Sequence, residues 1–260
     1  TLHRLEHSAD GTVKKRRHYK FRYDPAAMDR LLVDLFIESH DEPPAEIVLD
    51  LDATDDQVHG KQEGRFFHGY YGHYCYLPLY IFCGDFPLCA RLRRANIDAC
   101  DGCIEELDAI IEQLREHWPD TRIIIRGDSG FAREVIFAWC EEMGIEYVIG
   151  MARNPRLEAM VEPDFDELRR TEQRKSFRDL EYRTVSTWSR SRRVVAKAEL
   201  LGDKQNPRFV VTSLSDEEID AASLYCDVYC ARGDMENRIK EQQLHLFADR
   251  TSTSLMSANQ

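Results

Sequence analysis

The stretch "AEIVLDLDATDD", Ala45 to Asp56, decides how the rest of the chain reads. Ile47, Val48, Leu49 and Leu51 form a short, nearly continuous apolar run behind Pro43-Pro44, the pattern of a buried strand. The run leads straight into acid. Asp50 and Asp52 share parity and so project from one face of that strand. Two carboxylates held about 4 Å apart repel by ~4 kcal/mol at an effective dielectric near 20, so only a cation makes their proximity comfortable. Oxygen-only donors choose hard ions such as Mg²⁺ or Mn²⁺.

Downstream, "TRIIIRGDSG" (Thr121–Gly130) repeats the theme, an apolar strand delivering Asp128 to its end, where ligands collect in α/β folds. An Asp in either place also serves as a turn former or helix N-cap. Between the two strands, "HYCYLPLYIFCG" and "FPLCARLRR" predict two further strands separated at Gly84-Asp85. "CIEELDAIIEQLREHW" repeats apolar residues at Ile104, Leu107, Ile110, Ile111 and Leu114, an amphipathic helix closed by Pro119. "FAREVIFAWCEEMG" predicts a helix stopped by Gly144, and "IEYVIGMA" another strand. Before the first strand, "DPAAMDRLLVDLFIESH" has helical period at Met28, Leu31, Leu32, Leu35 and Phe36.

From Asn154 to Ser213 the pattern changes, and "SFRDLEYRTVSTWS", "RRVVAKAELL" and "PRFVVTSL" predict antiparallel strands. "RNPR" (Arg153–Arg156) ahead of them reads as a turn that could reach an anion. Residues 215–247 read as one helix, with Ser215 as N-cap and Glu218 completing a capping box. Tyr229, Arg232, Glu236 and Gln243 fall along one stripe of it. That stripe offers a carboxylate, a guanidinium and a phenol to one partner; the plain alternative is a surface helix laced by Glu236 and Lys240.

A chain of 260 residues with 43% hydrophobic and 32% charged residues is globular, and no apolar run reaches the ~18 residues of a membrane span. The net charge of −12 taken alone disfavours nucleic acid, although "KKRRHYKFR" (Lys14–Arg22) and "SRSRR" (Ser189–Arg193) are basic clusters of the kind that follow phosphates. Eight cysteines with no secretory signal suggest reduced thiols in a cytoplasm. Cys100 and Cys103 form a lone CxxC, read as buried or loop thiols rather than zinc ligands, and Cys226 and Cys230 read as core. His59, His68 and His73 read as strand and turn packing rather than a metal or base site. With no Met at Thr1 and no final element after "LMSANQ", the chain reads as a piece of a longer protein.

Together these residues resemble the DDE transposases of bacterial insertion sequences, in the group with the Tyr-x2-Arg-x3-Glu-x6-Lys signature. Tyr229, Arg232 and Glu236 fit that signature, with Gln243 in place of Lys, and "LDLDAT" and "RGDSGF" resemble the two Asp motifs. The run from Leu49 to Gly84 is most similar to the insertion sequence 1380 family (transposase DDE domain, group 1). The resemblance covers about residues 46–250.

The resemblance implies an α/β fold: a ribonuclease-H-like mixed sheet flanked by helices, spanning 25–260 behind a basic tail at 1–24, with a β-rich insertion at 154–213 before the last helix. It implies Asp52, Asp128 and Glu236 as catalytic and metal-binding residues, with Asp50 the alternative to Asp52. Two Mg²⁺ or Mn²⁺ ions would clamp an in-line displacement at phosphorus, first by water and later by a DNA 3′-hydroxyl. Tyr229, Arg232 and Gln243 would contact DNA, Arg232 through a bidentate fork. The implied partners are the insertion-sequence terminal repeats and target DNA, with a homodimer in the DNA complex, in a bacterial cytoplasm on the nucleoid and without a membrane. Two other readings stand beside this one: a truncated, non-catalytic remnant that binds DNA or partner chains, and a metal-dependent hydrolase of small phosphate esters.

Overall fold

A computed structural model describes residues 24–260 except residue 203. The basic cluster at Lys14–Arg22 therefore lies outside the described residues. The elements begin with α1 (Pro25–Glu38), β1 (Glu46–Ala53), β2 (Asp56–Gln57), β3 (Phe66–His68), β4 (His73–Tyr76), β5 (Leu79–Cys83), β6 (Phe86–Arg91) and α2 (Cys103–His117). They continue through β7 (Arg122–Gly127), α3 (Glu134–Met143), β8 (Glu146–Met151), α4 (Pro155–Thr171), β9 (Lys175–Tyr182), β10 (Arg192–Leu201), β11 (Lys204–Gln205) and β12 (Arg208–Thr212). A single turn, α5 (Ala221–Ser223), and α6 (Gly233–Leu246) follow. The described residues form two compact units, one of Ala45–Leu51 and Arg122–Glu236, the other of residues 24–44 with Asp52–Thr121 and Asn237–Gln260.

The first of these is built on β1, β7 and β8, which run parallel. Leu49, Leu51, Ile123, Ile124, Ile125, Val148 and Ile149 are all buried, as strands covered on both faces require. The crossover from β7 to β8 is α3, which Gly144 ends in the left-handed region at φ 65°. Beyond β8 the strands β12 and β10 follow in order, each antiparallel to its neighbour, and β9 also pairs with β10. The expected antiparallel strands are thus present and extend the parallel ones in one sheet.

The β-rich reading of 154–213 missed a helix. Asn154 Oδ1 accepts hydrogen bonds from Arg156 N and Leu157 N at 3.1 Å, and Pro155 occupies the first turn, so "RNPR" starts a helix instead of making a plain turn. Leu157, Val161, Phe165 and Leu168 bury its apolar stripe. The arginines of "SRSRR" are engaged in ion pairs. Arg192 is buried, donates to Glu134 Oε2 at 2.7 Å and Glu141 Oε1 at 2.8 Å, and stacks on Phe137 and Trp188 with 5.0 and 5.4 Å to the ring centroids. Arg193 is tied to Asp179 and Arg190 to Glu141.

In the other unit, α1 starts at the Asp24 cap and buries Val33 and Phe36. Its Met28, Leu31 and Leu35, expected to face inward, are exposed. The hairpin β5–β6 turns at Gly84, φ 57°, and α2 buries Leu107, Ile110, Ile111 and Leu114. The single strand expected over 73–84 is two, β4 and β5, broken before Pro78, and β4 lies between β2 and β3 in a small sheet. His73 Nε2 is 2.6 Å from Asp55 Oδ2, and the His68 ring packs on Tyr71 at 4.8 Å. Burial pushes the Cys103 thiol up to about 12, so it stays protonated at neutral pH. Among the described residues no helix is long and apolar enough to cross a membrane.

Asp56 is 2% exposed, and among the described residues its Oδ1 has no hydrogen-bond partner. Burial first, then the charges of Asp249 and Asp55, push its carboxyl up to about 7 against a hydrogen bond from Thr251. The folded state therefore keeps a proton that the unfolded chain releases near pH 3.9, and stability falls as pH rises from about 4 through 7. Asp56→Asn should flatten that slope and stabilise the protein at pH 8 by about 1–2 kcal/mol after solvent screening. Thermal melts at pH 5 and pH 8 check this; an equal shift at both would refute it.

Candidate active site

The two strand-end motifs meet first as structure. β1 and β7 pair in parallel with Asp50 opposite Arg126 and Leu51 opposite Gly127. Arg126 grips Asp50 with both arms of its guanidinium, Nε to Oδ1 at 2.5 Å and Nη2 to Oδ2 at 2.7 Å, both side chains almost fully buried. Nη1 donates to the Val228 carbonyl. Burial pushes the Asp50 carboxyl up, the hydrogen bonds and charge of Arg126 pull it down, and Arg232 and Asp234 add smaller opposing effects. The cation that Asp50 needs is thus an arginine. Asp52, half-buried near the end of β1, is not held in this pair.

Asp128 stands just beyond β7. Its Oδ1 accepts from Gly130 N at 2.8 Å, so it caps the short helical turn Ser129–Phe131, and it also lines a cleft of about 520 Å³. Tyr229, 101 residues further along, lines the same cleft. The Tyr229 ring sits over Gly150 of β8: a Cβ there would run into its hydroxyl and come within 3.1 Å of its Cζ. Burial raises the Tyr229 phenol, with Arg232 lowering it and Asp128 raising it. Gly150→Ala should cost about 1–3 kcal/mol through overpacking. Tyr229→Phe, which removes the colliding oxygen, should restore part of that loss in a double variant. Denaturant midpoints decide it, and additive losses would count against the contact.

The helix expected over 215–247 is not continuous. Ser215 Oγ accepts from Glu218 N at 3.2 Å, but only in a turn; the helix proper is capped by Asp220. Leu224–Tyr229 then form a π turn and Cys230–Arg232 a 3₁₀ turn before α6. The wider π turn directs Leu224 and Tyr225 inward and leaves Cys226 and Cys230 exposed, contrary to their reading as core. Arg232 and Glu236 do share a stripe, paired at 2.6 Å from Nη2 to Oε1. Glu236 is thus held by Arg232, not Lys240. Gln243, in the unit that contains Asp52, lies 3.5 Å through Nε2 from the Asp55 carbonyl.

As donors, Asp52, Asp128 and Glu236 suit a hard divalent cation. Among the described residues no group of three His, Cys, Asp or Glu side chains is placed to hold a metal ion, and Glu236 is paired with Arg232.

Sequence reasoning missed Arg126 and Gly150. Arg126 was detectable: it precedes Asp128 by two residues as Asp50 precedes Asp52, so aligning the motifs sets Asp50 against Arg126. Gly150 had no such signal, because its role depends on a tyrosine 79 residues away.

Among solved structures, this chain is similar to Ciona intestinalis endonuclease V in complex with a 24mer DNA containing an inosine followed by a ribo-adenosine. The identity is 12%, over 84% of this chain and 97% of that one, with a TM-score of 0.36. It is also similar to Marinitoga piezophila Argonaute with 5′-OH guide RNA and target DNA, at 10% identity over 71% of this chain and 26% of that chain, with a TM-score of 0.30. Scores this low assign no activity. No curated protein matches the chain. The family model described as transposase DDE domain group 1 matches residues 1–260, and the chain belongs to that family.

Proposed function

We propose that the chain is a DNA transposase that cleaves DNA at the ends of an insertion sequence and transfers the freed strand, with Asp52, Asp128 and Glu236 as its catalytic carboxylates. The family match suggests transposition. The observation that carries the site reading is that Asp128 and Tyr229 line one cleft, with Arg232 in the turn after Tyr229 paired to Glu236 in the first turns of α6. Arg232 has the planar fork that grips a phosphate bidentately, which a lysine cannot copy. Tyr229 offers a hydroxyl beside Asp128. On this reading Tyr229, Arg232 and Glu236 belong to the signature of the insertion sequence 1380 group, with the uncharged Gln243 replacing its Lys. The sequential order of a strand, an antiparallel hairpin, a helix and two further parallel strands favours a ribonuclease-H-like core. The partners are terminal-repeat and target DNA, with two chains in the DNA complex.

The reading requires Mg²⁺ or Mn²⁺. Bound beside these carboxylates, such an ion would polarise the scissile phosphate and the attacking oxygen. Incubating the protein with labelled duplex carrying the element's own ends, in Mg²⁺ and in Mn²⁺, tests the proposal: strand breaks at the ends support it, and intact DNA in both refutes it.

One feature favours the non-catalytic alternative: Gln243, uncharged where the signature has Lys. A protein that binds end DNA tightly yet never nicks it, even beside an active full-length relative, would select that reading.

A further inference from the structure

We propose that the cleft beside Asp128 takes a single phosphodiester strand, held by Arg153, Lys204 and Arg208. This rests on the reading of the chain as an enzyme acting on DNA and names the form of DNA its cleft accepts. Two separate parts of the chain bring cations to one cavity: Arg153 after β8, and Lys204 and Arg208 from the segment that runs from β11 into β12. Among the described residues Asp128 is the one carboxylate that lines it. A cavity with three cations and one acid runs against a chain whose net charge is −12.

Two of these cations are also uncommitted, and the third is only loosely paired. Arg91, Arg122, Arg126, Arg192 and Arg193 each hold a carboxylate at 3.1 Å or less. Among the described residues neither Lys204 nor Arg208 has a carboxylate within 4.0 Å, and both are exposed. Arg153 lies 3.9 Å from Glu158 with its side chain 67% exposed, a pair worth little. The aromatic wall is Tyr225 and Tyr229, their rings 5.5 Å apart. A basic groove with aromatic side chains is how proteins track one strand without reading its sequence. At about 520 Å³ the cleft falls in the range of small-ligand pockets, ~300–1,000 Å³, which suits a strand of few nucleotides and not a duplex.

Fluorescence anisotropy with a labelled single strand of about ten nucleotides, and with the duplex of the same sequence, tests the inference. The full chain should bind the single strand more tightly, and Arg153→Ala/Arg208→Ala should weaken that binding at least about tenfold. Between about 50 and 200 mM salt the slope of log affinity should fall by roughly 1.4 for two lost phosphate contacts. Lys204→Glu, at an exposed position, should weaken binding in the same direction. Unchanged affinity and slope in both variants, or wild-type binding to duplex alone, would overturn the inference. End cleavage measured in parallel separates the two claims. Variants that lose strand binding in a protein that never cleaves leave the cleft assignment standing without the transposase reading. Variants that bind normally in a protein that cleaves do the reverse.

Discussion

Asp128→Asn should abolish cleavage of end DNA while the protein melts as the parent does. The amide keeps an oxygen that can accept the Gly130 N–H bond now measured at 2.8 Å, so the cap survives and only the charge is lost. A catalytic carboxylate that handles a proton in the reaction contributes about 10²–10⁴ in rate, and a loss of at least about a hundredfold is expected. The change in stability should stay within about 0.5 kcal/mol. A gel assay beside a thermal melt gives both readings, and a variant that cleaves like the parent removes Asp128 from the chemistry. The neighbouring aspartates then divide by the same pair of measurements. Asp50→Asn would leave the buried Arg126 guanidinium short of its counter-charge and should cost about 3–5 kcal/mol. Asp52→Asn should lose cleavage and leave the fold intact.

The second large effect is structural. Arg192→Ala should destabilise the protein by about 3–5 kcal/mol, because Glu134 and Glu141 would stay beside each other without the buried guanidinium that holds both. The melting temperature should drop by on the order of 10 °C. Burial acts to raise both carboxyls, but the hydrogen bonds from Arg192, joined by Ser189 at Glu134 and by Arg190 and Tyr147 at Glu141, outweigh it and hold them below the ordinary range. Their stabilising effect is therefore present above the unfolded value, about pH 4.3, and disappears as pH falls through the lower folded values. The variant should lack that acid-side loss. Urea titrations at pH 7 and pH 3.5 measure both effects, and a parent and variant with parallel pH profiles would show that the charge pairing contributes nothing.

Elements with strong local patterns were legible. Ile123–Ile125 mark β7, the spacing from Leu107 to Leu114 marks α2, and Gly144 marks the end of α3. The helix α4 was missed although Asn154-Pro155 is a start signal, because Pro163 inside it reads as a break. The regular helix expected through Tyr229 gives way to a π turn, since Tyr225 and Tyr229 pack inward and draw the backbone wider there. The stripe on α1 went wrong for a related reason: Met28, Leu31 and Leu35 have helical period, but period does not say which face finds a partner.

By itself the order of residues determined that two apolar strands end in aspartates, that a later segment carries Tyr229, Arg232 and Glu236 at helical spacing, and that these motifs together resemble one transposase family. Such features are local, fixed by alternation, capping and spacing along the backbone. Only the tertiary structure decided which charges are already neutralised. Asp50 belongs to Arg126, Glu236 to Arg232 and Arg192 to two glutamates, while Lys204 and Arg208 keep their charge exposed on a cleft. Pairing depends on distances of a few ångströms between residues far apart in the chain, and sequence spacing carries no record of them.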